Sequence, residues 1–196
     1  MKPATDIQIQ KIEECWDSPY IRPHRIFYTQ NGAPRTWDIV QAHNSVSILI
    51  YDTSINALIL VKQMRPALFV KSQIPCVYEL CAGIVDKDKS LAQIASEEVF
   101  EECGYDVPAS ELVEICSFYS SVGFAASKQH CYYAEVSAAR KTGQGGGIDT
   151  EQIEVIALPL SEIRDFVYDS SRAKTSGLLF ACMWFLNEKA QYFSKA

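Results

Sequence analysis

The stretch Ala82–Tyr105 reads AGIVDKDKSLAQIASEEVFEECGY, and it is built as a strand end, a polar turn and a helix. Ser90 with Gln93 three residues on forms a capping box, and Gly104 is the natural residue after a helix end, so a helix is expected from Ser90 to Gly104. At about 100° per residue, Leu91, Ala92, Ala95, Val99 and Cys103 share an apolar stripe, while Glu97, Glu98, Glu101 and Glu102 share an adjoining arc. Like charges three or four residues apart repel by roughly 0.2–0.5 kcal/mol per pair. No Lys or Arg lies three or four residues from them, and the last turns of a helix disfavour negative charge. A solvated helix face usually interleaves both signs; this one does not. A hard divalent cation that takes oxygen ligands, Mg²⁺ or Mn²⁺, would turn the repulsion into coordination.

The stretch resembles the signature box of the Nudix hydrolases, which cleave nucleoside diphosphates linked to another group. Gly83 takes the opening glycine, Glu98 the glutamate after the usual Arg, Glu101 and Glu102 the paired glutamates, Gly104 the closing glycine and Tyr105 the final apolar position. Two positions depart from the pattern: Lys89 stands where the family usually has Glu, and Glu97 where it usually has Arg. The resemblance implies that Glu98, Glu101 and Glu102, with the Ala82 carbonyl, hold Mg²⁺ or Mn²⁺, and that Glu98 and Glu102 are thereby catalytic.

The bulk of the chain bounds what surrounds this box. Its 196 residues, 48% hydrophobic and 21% charged, suit one well-cored domain with a small appended element. A net charge of −6 argues against a nucleic-acid-tracking surface, which needs dense Lys and Arg. Seven cysteines, odd in number and without a CxxC pair, fit free thiols in a reducing compartment, and the isolated histidines give a zinc site little support. Residues 1–20 hold no apolar core of signal-peptide length and no apolar span of about 20 residues occurs anywhere. A cytoplasmic chain with no membrane partner is expected.

Asn31-Gly32 between β-prone segments is a hairpin signal, placing strands at Arg25–Thr29 and Thr36–Val40. Further strands are expected at Val46–Tyr51, Ala57–Gln63, Cys76–Leu80, Leu112–Tyr119, Gln129–Val136 and Gln152–Leu158, with helical pattern at Ser161–Phe166 and Thr175–Ala190. Mixed strands and helices argue for an α/β sandwich. The family resemblance makes this an α/β/α sandwich around a mixed sheet, residues 44–196, preceded by a small β-element, residues 1–43, that serves dimerisation and substrate contacts.

Three other places carry candidate chemistry. Arg65, at a strand end before Pro66, is placed to bind phosphate in bidentate fashion, and the same Arg-Pro setting occurs in Nudix enzymes that cleave ADP-ribose and UDP-sugars. Arg25 and Arg35 are weaker candidates for the same work. Trp37, in PRTWDIV, is either a core residue or, as in those relatives, a platform for the nucleobase, often beside a partner subunit; Tyr119 is a second possible platform. The glycine-rich run Gly143–Glu154 lacks the helix and Lys of a phosphate loop, so mobility is its expected role. It brings Asp149, Glu151 or Glu154 over the metal as general base, and the resemblance points to Glu151.

SPYIRP, QNGAPRTWDIV, VKQMRPA, YELCAG and EECGY together resemble the Nudix branch that splits UDP-sugars. The implied reaction is hydrolysis of UDP-glucose to UMP and glucose 1-phosphate by a homodimer. ADP-ribose cleavage to AMP and ribose 5-phosphate is the alternative, and a non-catalytic nucleotide-sugar-binding module is a remoter one.

Overall fold

The computed structural model describes residues 7–148 and 150–189. Asp149 and the expected helix end at Ala190 lie outside them. Strands β1 (Arg22–Gln30) and β2 (Ala33–Gln41) make an antiparallel hairpin. Its two-residue turn has Asn31 at φ 53° and Gly32 at φ 76°, the positive pair that such a turn demands. Each strand starts three residues earlier and ends one residue later than the sequence pattern suggested, and nearly all their side chains are exposed. The Val40 N–H donates to the Phe124 carbonyl at 2.7 Å, tying the hairpin to the loop that precedes β8.

The remaining strands, β3 (Ser45–Asp52), β4 (Ala57–Gln63), β5 (Val77–Glu79), β6 (Cys81–Ile84), β7 (Val113–Ser120), β8 (Ser127–Val136) and β9 (Ile153–Pro159), form one mixed sheet. β3 and β8 run parallel and the other pairings are antiparallel. β3 and β4 are continuous apolar runs because both their faces are covered. Val46, Ile48, Ile50, Ile59 and Val61 face α2 (Leu91–Cys103), while Leu49, Tyr51, Leu58 and Leu60 face α3 (Ile163–Tyr168) and α4 (Ser176–Glu188). The expected α/β/α sandwich is thus observed. Among the described residues no helix is long and apolar enough to cross a membrane, and all seven cysteines are free.

One feature of the sheet positions everything else. β3 and β4 pair only through Ile50–Asp52 and Ala57–Ile59, then diverge; β5 continues on β4 from Val61 to Gln63, and β6 continues on β3 from Ser45 to Ile48. The single strand expected at Cys76–Leu80 is therefore two short strands that change partners at Leu80. The sequence pattern also missed α1 (Pro66–Ser72), which has Pro at its start and buries no residue, so no amphipathic stripe marks it.

Candidate functional site

The divergence of β3 and β4 opens a pocket of about 670 Å³. α2 forms one wall. Its capping box is complete, with the Ser90 Oγ accepting from the Gln93 N–H and the Gln93 Oε1 accepting from the Ser90 N–H, and Gly104 ends it at φ 73°. Its buried stripe is Ile94, Ala95, Val99 and Cys103, with Leu91 and Ala92 partly buried; Ile94 belongs to the stripe as well as the five residues read from the pattern. Glu102 is only 4% exposed, because β6 crosses the helix there and the Ala82 N–H donates to Glu102 Oε2 at 2.9 Å. The glutamates thus do not share one open face. Glu98 lies flat against Gly83, where any Cβ would overlap its carboxylate, which is the local reason for glycine at that position.

Glu97 turns the other way and pairs with Lys89 and, at 3.3 Å, with Lys87. The relief that is missing along the helix comes through space from the preceding turn. Glu98, Glu101 and Glu102 remain on the pocket wall with Glu79, Asp86 and Glu151, against the cations Arg65 and Lys87. Burial, reinforced by Glu101, raises the Glu98 carboxyl to about 7. Burial does the same to Glu102, opposed by the Ala82 N–H and reinforced by Glu98 and Glu151. Among the described residues no three His, Cys, Asp or Glu side chains converge as a ready cation cage, since Glu98 and Glu102 are each engaged with β6. The donor set is nevertheless all oxygen, half-buried and mutually repelling, which fits a hard divalent cation once the glutamate side chains rotate inward.

Arg65 lies on the same pocket. It precedes Pro66 with φ −119° and ψ 109°, the extended conformation expected before proline. Glu79 holds its guanidinium through contacts of 2.5 to 3.2 Å, and Gln63 donates to the same carboxylate at 3.2 Å. Glu79, 9% exposed, was not singled out from the sequence. It reaches Arg65 because Val61 and Glu79 are in register on β4 and β5.

Glu151 also lines the pocket, its carboxylate accepting from the Ile148 N–H at 3.0 Å. The glycine run before it is not the loose segment its composition suggests. Thr142 and Gly143 N–H groups donate to the Gly104 carbonyl at 3.1 and 3.0 Å, Gly146 to Glu102 at 2.8 Å and Gly147 to Glu101 at 3.1 Å. Lys141 Nζ adds a bond to the Cys103 carbonyl. The run is a stopper on the α2 C-terminus, and it satisfies carbonyls that a helix end leaves without partners. A Cβ at Gly145 would sit 2.5 Å from the Glu102 carbonyl oxygen. Glu154 instead pairs with Lys62 at 3.1 Å on the sheet.

The hairpin candidates, and Tyr119 on β7, stand apart from this pocket. Arg25 is bidentate to Asp38 at 2.7 and 2.9 Å, Arg35 lies opposite Tyr28 in the hairpin ladder, and Tyr119 is exposed. Trp37 is 52% exposed, and its Nε1–H donates to the Gly123 carbonyl at 2.7 Å. One chain does not bring these residues to the glutamates.

No family model matches the chain. It is 37% identical over 205 aligned positions to the uridine diphosphate glucose pyrophosphatase NUDT14 of Bos taurus, covering 90% of this chain and 92% of that protein. The protein of the same name from Mus musculus is 35% identical over 209 positions, covering 92% and 94%. The GDP-mannose pyrophosphatase of Klebsiella pneumoniae is 35% identical over 133 positions, covering 67% and 66%.

Proposed function

The chain belongs to the Nudix hydrolases, and from that premise we propose that it hydrolyses the diphosphate bond of a nucleotide sugar, UDP-glucose above others, to UMP and glucose 1-phosphate. The observation that carries this reading is the presence of Glu98, Glu101, Glu102 and Arg65 on one pocket. The relatives named for UDP-glucose support the choice of substrate.

Nudix pyrophosphatases use a divalent metal. Here Glu98, Glu101 and Glu102 with the Ala82 carbonyl would hold it, and Mg²⁺ fits the oxygen donors, with Mn²⁺ as substitute. When bound, such an ion neutralises charge on the diphosphate and makes water more acidic. Arg65, fixed by Glu79, grips a non-reacting phosphate oxygen. Glu151 leaves the Ile148 N–H and accepts the proton of the attacking water, acting as general base. Attack on phosphorus breaks the anhydride bond and releases the two monophosphates.

Residues 1–43 serve as a dimerisation element. A two-stranded hairpin is marginal alone, and its exposed Phe27, Trp37 and Ile26 suit burial against a second copy, which would carry Trp37, Arg25 and Arg35 toward the partner's pocket. Free thiols throughout fit a reducing, cytoplasmic setting.

The test is side-by-side kinetics on UDP-glucose and ADP-ribose at equal Mg²⁺ and pH. UDP-glucose should have the higher kcat/KM, with UMP and glucose 1-phosphate as products. If ADP-ribose is preferred by tenfold or more, about 1.4 kcal/mol, the substrate assignment falls while the diphosphatase reading stands.

A further inference from the structure

The pocket has a second polar end, away from the glutamates, where α4 begins. The segment before that helix runs beside β5: the Tyr78 N–H donates to the Ala173 carbonyl at 2.9 Å and the Thr175 N–H to the Tyr78 carbonyl at 3.2 Å. The first turn of a 13-residue helix is thus delivered to the pocket at a fixed height. Thr175 is its N-cap and makes no side-chain capping bond. Leu179 is the first N–H to bond back, to the Thr175 carbonyl at 3.1 Å, so the N–H donors of Ser176, Gly177 and Leu178 have no partner within the helix. All three residues line the pocket.

A helix start alone would mean little, but Ser47 stands at the same end. It is 1% exposed, it lines the pocket, and its Oγ makes no hydrogen bond. Burial pushes the Cys131 thiol opposite it on β8 up to about 11, and Ser47 pulls it the other way, but sulfur is a weak hydrogen-bond partner. A buried hydroxyl left in this state costs free energy that a ligand can return. Gln129, beside Ser45 in the β3–β8 ladder, donates to the Ser45 Oγ at 3.4 Å. Its Oε1 presses against Gly177, where a Cβ would come within 2.6 Å.

We infer that the Ser47 hydroxyl, the Gln129 amide and the first turn of α4 form a subsite for the hydroxyl groups of the sugar half of the substrate. The inference rests on the nucleotide-sugar reading and deepens it. The chemistry favours a neutral polyol over a second phosphate. Hydroxyls and the amide offer both donors and acceptors, and no Lys or Arg is among them; Arg65 is held at Glu79 and Lys87 at Glu97. Position agrees as well. Ser47 is the ladder partner of Ala82, whose N–H holds Glu102, so the subsite sits on the strand next to the one that fixes the glutamate. A sugar joined directly to a diphosphate has to be seated that close.

The test compares UDP-glucose with the methyl ester of UDP, which keeps the nucleoside and the diphosphate but has a methyl group in place of glucose. Ser47→Ala removes one oxygen and leaves the core volume; Gln129→Met, at a half-buried position, repeats the experiment without touching the core. The ratio of kcat/KM for UDP-glucose to that for the methyl ester should fall about five- to tenfold in each variant, the scale of one lost hydrogen bond to a neutral partner. If the wild-type enzyme cleaves both compounds and the ratio stays unchanged in both variants, the subsite assignment is wrong and the diphosphatase reading survives. If the wild-type enzyme cleaves neither, the reading beneath the proposal fails and takes the proposal with it.

Discussion

Lys89 and Glu97 are bonded to each other, and they are the two positions at which the box departs from the family's usual Glu and Arg. The signs at the two positions are the reverse of the family's usual ones, and the pair fastens the turn before α2 to the helix that carries the glutamates.

Reversing one member should therefore do more harm than reversing both. Lys89→Glu sets two carboxylates against each other and should raise the Mg²⁺ concentration needed for half-maximal activity; adding Glu97→Arg should bring it back to within about twofold of wild type, since contacting residues couple in a double-mutant cycle. A double variant no better than the single one would show that the pair does not steady the site.

Changing Glu102 to Gln should remove activity while keeping the fold. The amide oxygen can still accept from the Ala82 N–H, and the loss of a buried charge relieves its repulsion with Glu98 and Glu151. Metal-free thermal stability should hold level or rise. More than about a tenth of wild-type turnover at saturating Mg²⁺, a loss under ~1.4 kcal/mol in transition-state stabilisation, would rule Glu102 out as a ligand.

The metal-free protein should lose stability as pH rises. Glu98 and Glu102 are raised to about 7 from an ordinary 4.5, so between those values the native chain binds protons that the unfolded chain releases. Their contribution is complete below the unfolded value and disappears as pH climbs through the folded one. In EDTA the Tm should fall between about pH 5 and about pH 8, and Mg²⁺ should restore it most strongly at the upper end. A Glu98→Gln, Glu102→Gln double variant that kept the same fall would trace it to other groups.

Light scattering at micromolar concentration should give a dimer, twice the chain mass of 22.0 kDa. Given that dimer, Trp37→Ala should mainly raise KM, because stacking on a base that does not react is uniform binding. A monomer would sink the dimer proposal, and a fall in kcat at unchanged KM would remove Trp37 from the base platform.

Local signals were the ones the sequence made legible. Ser90 with Gln93 and Asn31 with Gly32 act within a few residues, and both fell where the pattern put them. The continuous apolar runs of β3 and β4 needed only the rule for strands covered on both faces. Partnerships across strands were hidden: Glu79 grips Arg65 fourteen residues away through the β4–β5 ladder, and Ser47 meets α4 only after the sheet has formed. Lys89 with Glu97 crosses a turn–helix junction, beyond the reach of helix spacing. The glycine run misled for a related reason. Its composition permits mobility, but its N–H groups find acceptors at the end of a helix some forty residues upstream.

That stopper carries a mechanical consequence. Gly147 is bonded to the Glu101 carbonyl, and Glu151 follows four residues later, so the candidate base is joined to that bond by at most about 14 Å of chain. The tether's anchor is the carbonyl of one of the candidate metal ligands. A shift of α2 would carry that anchor with it and so keep the candidate base close to the glutamates. Lengthening the chain between Gly147 and Glu151 would unhitch the two parts while leaving each of them whole.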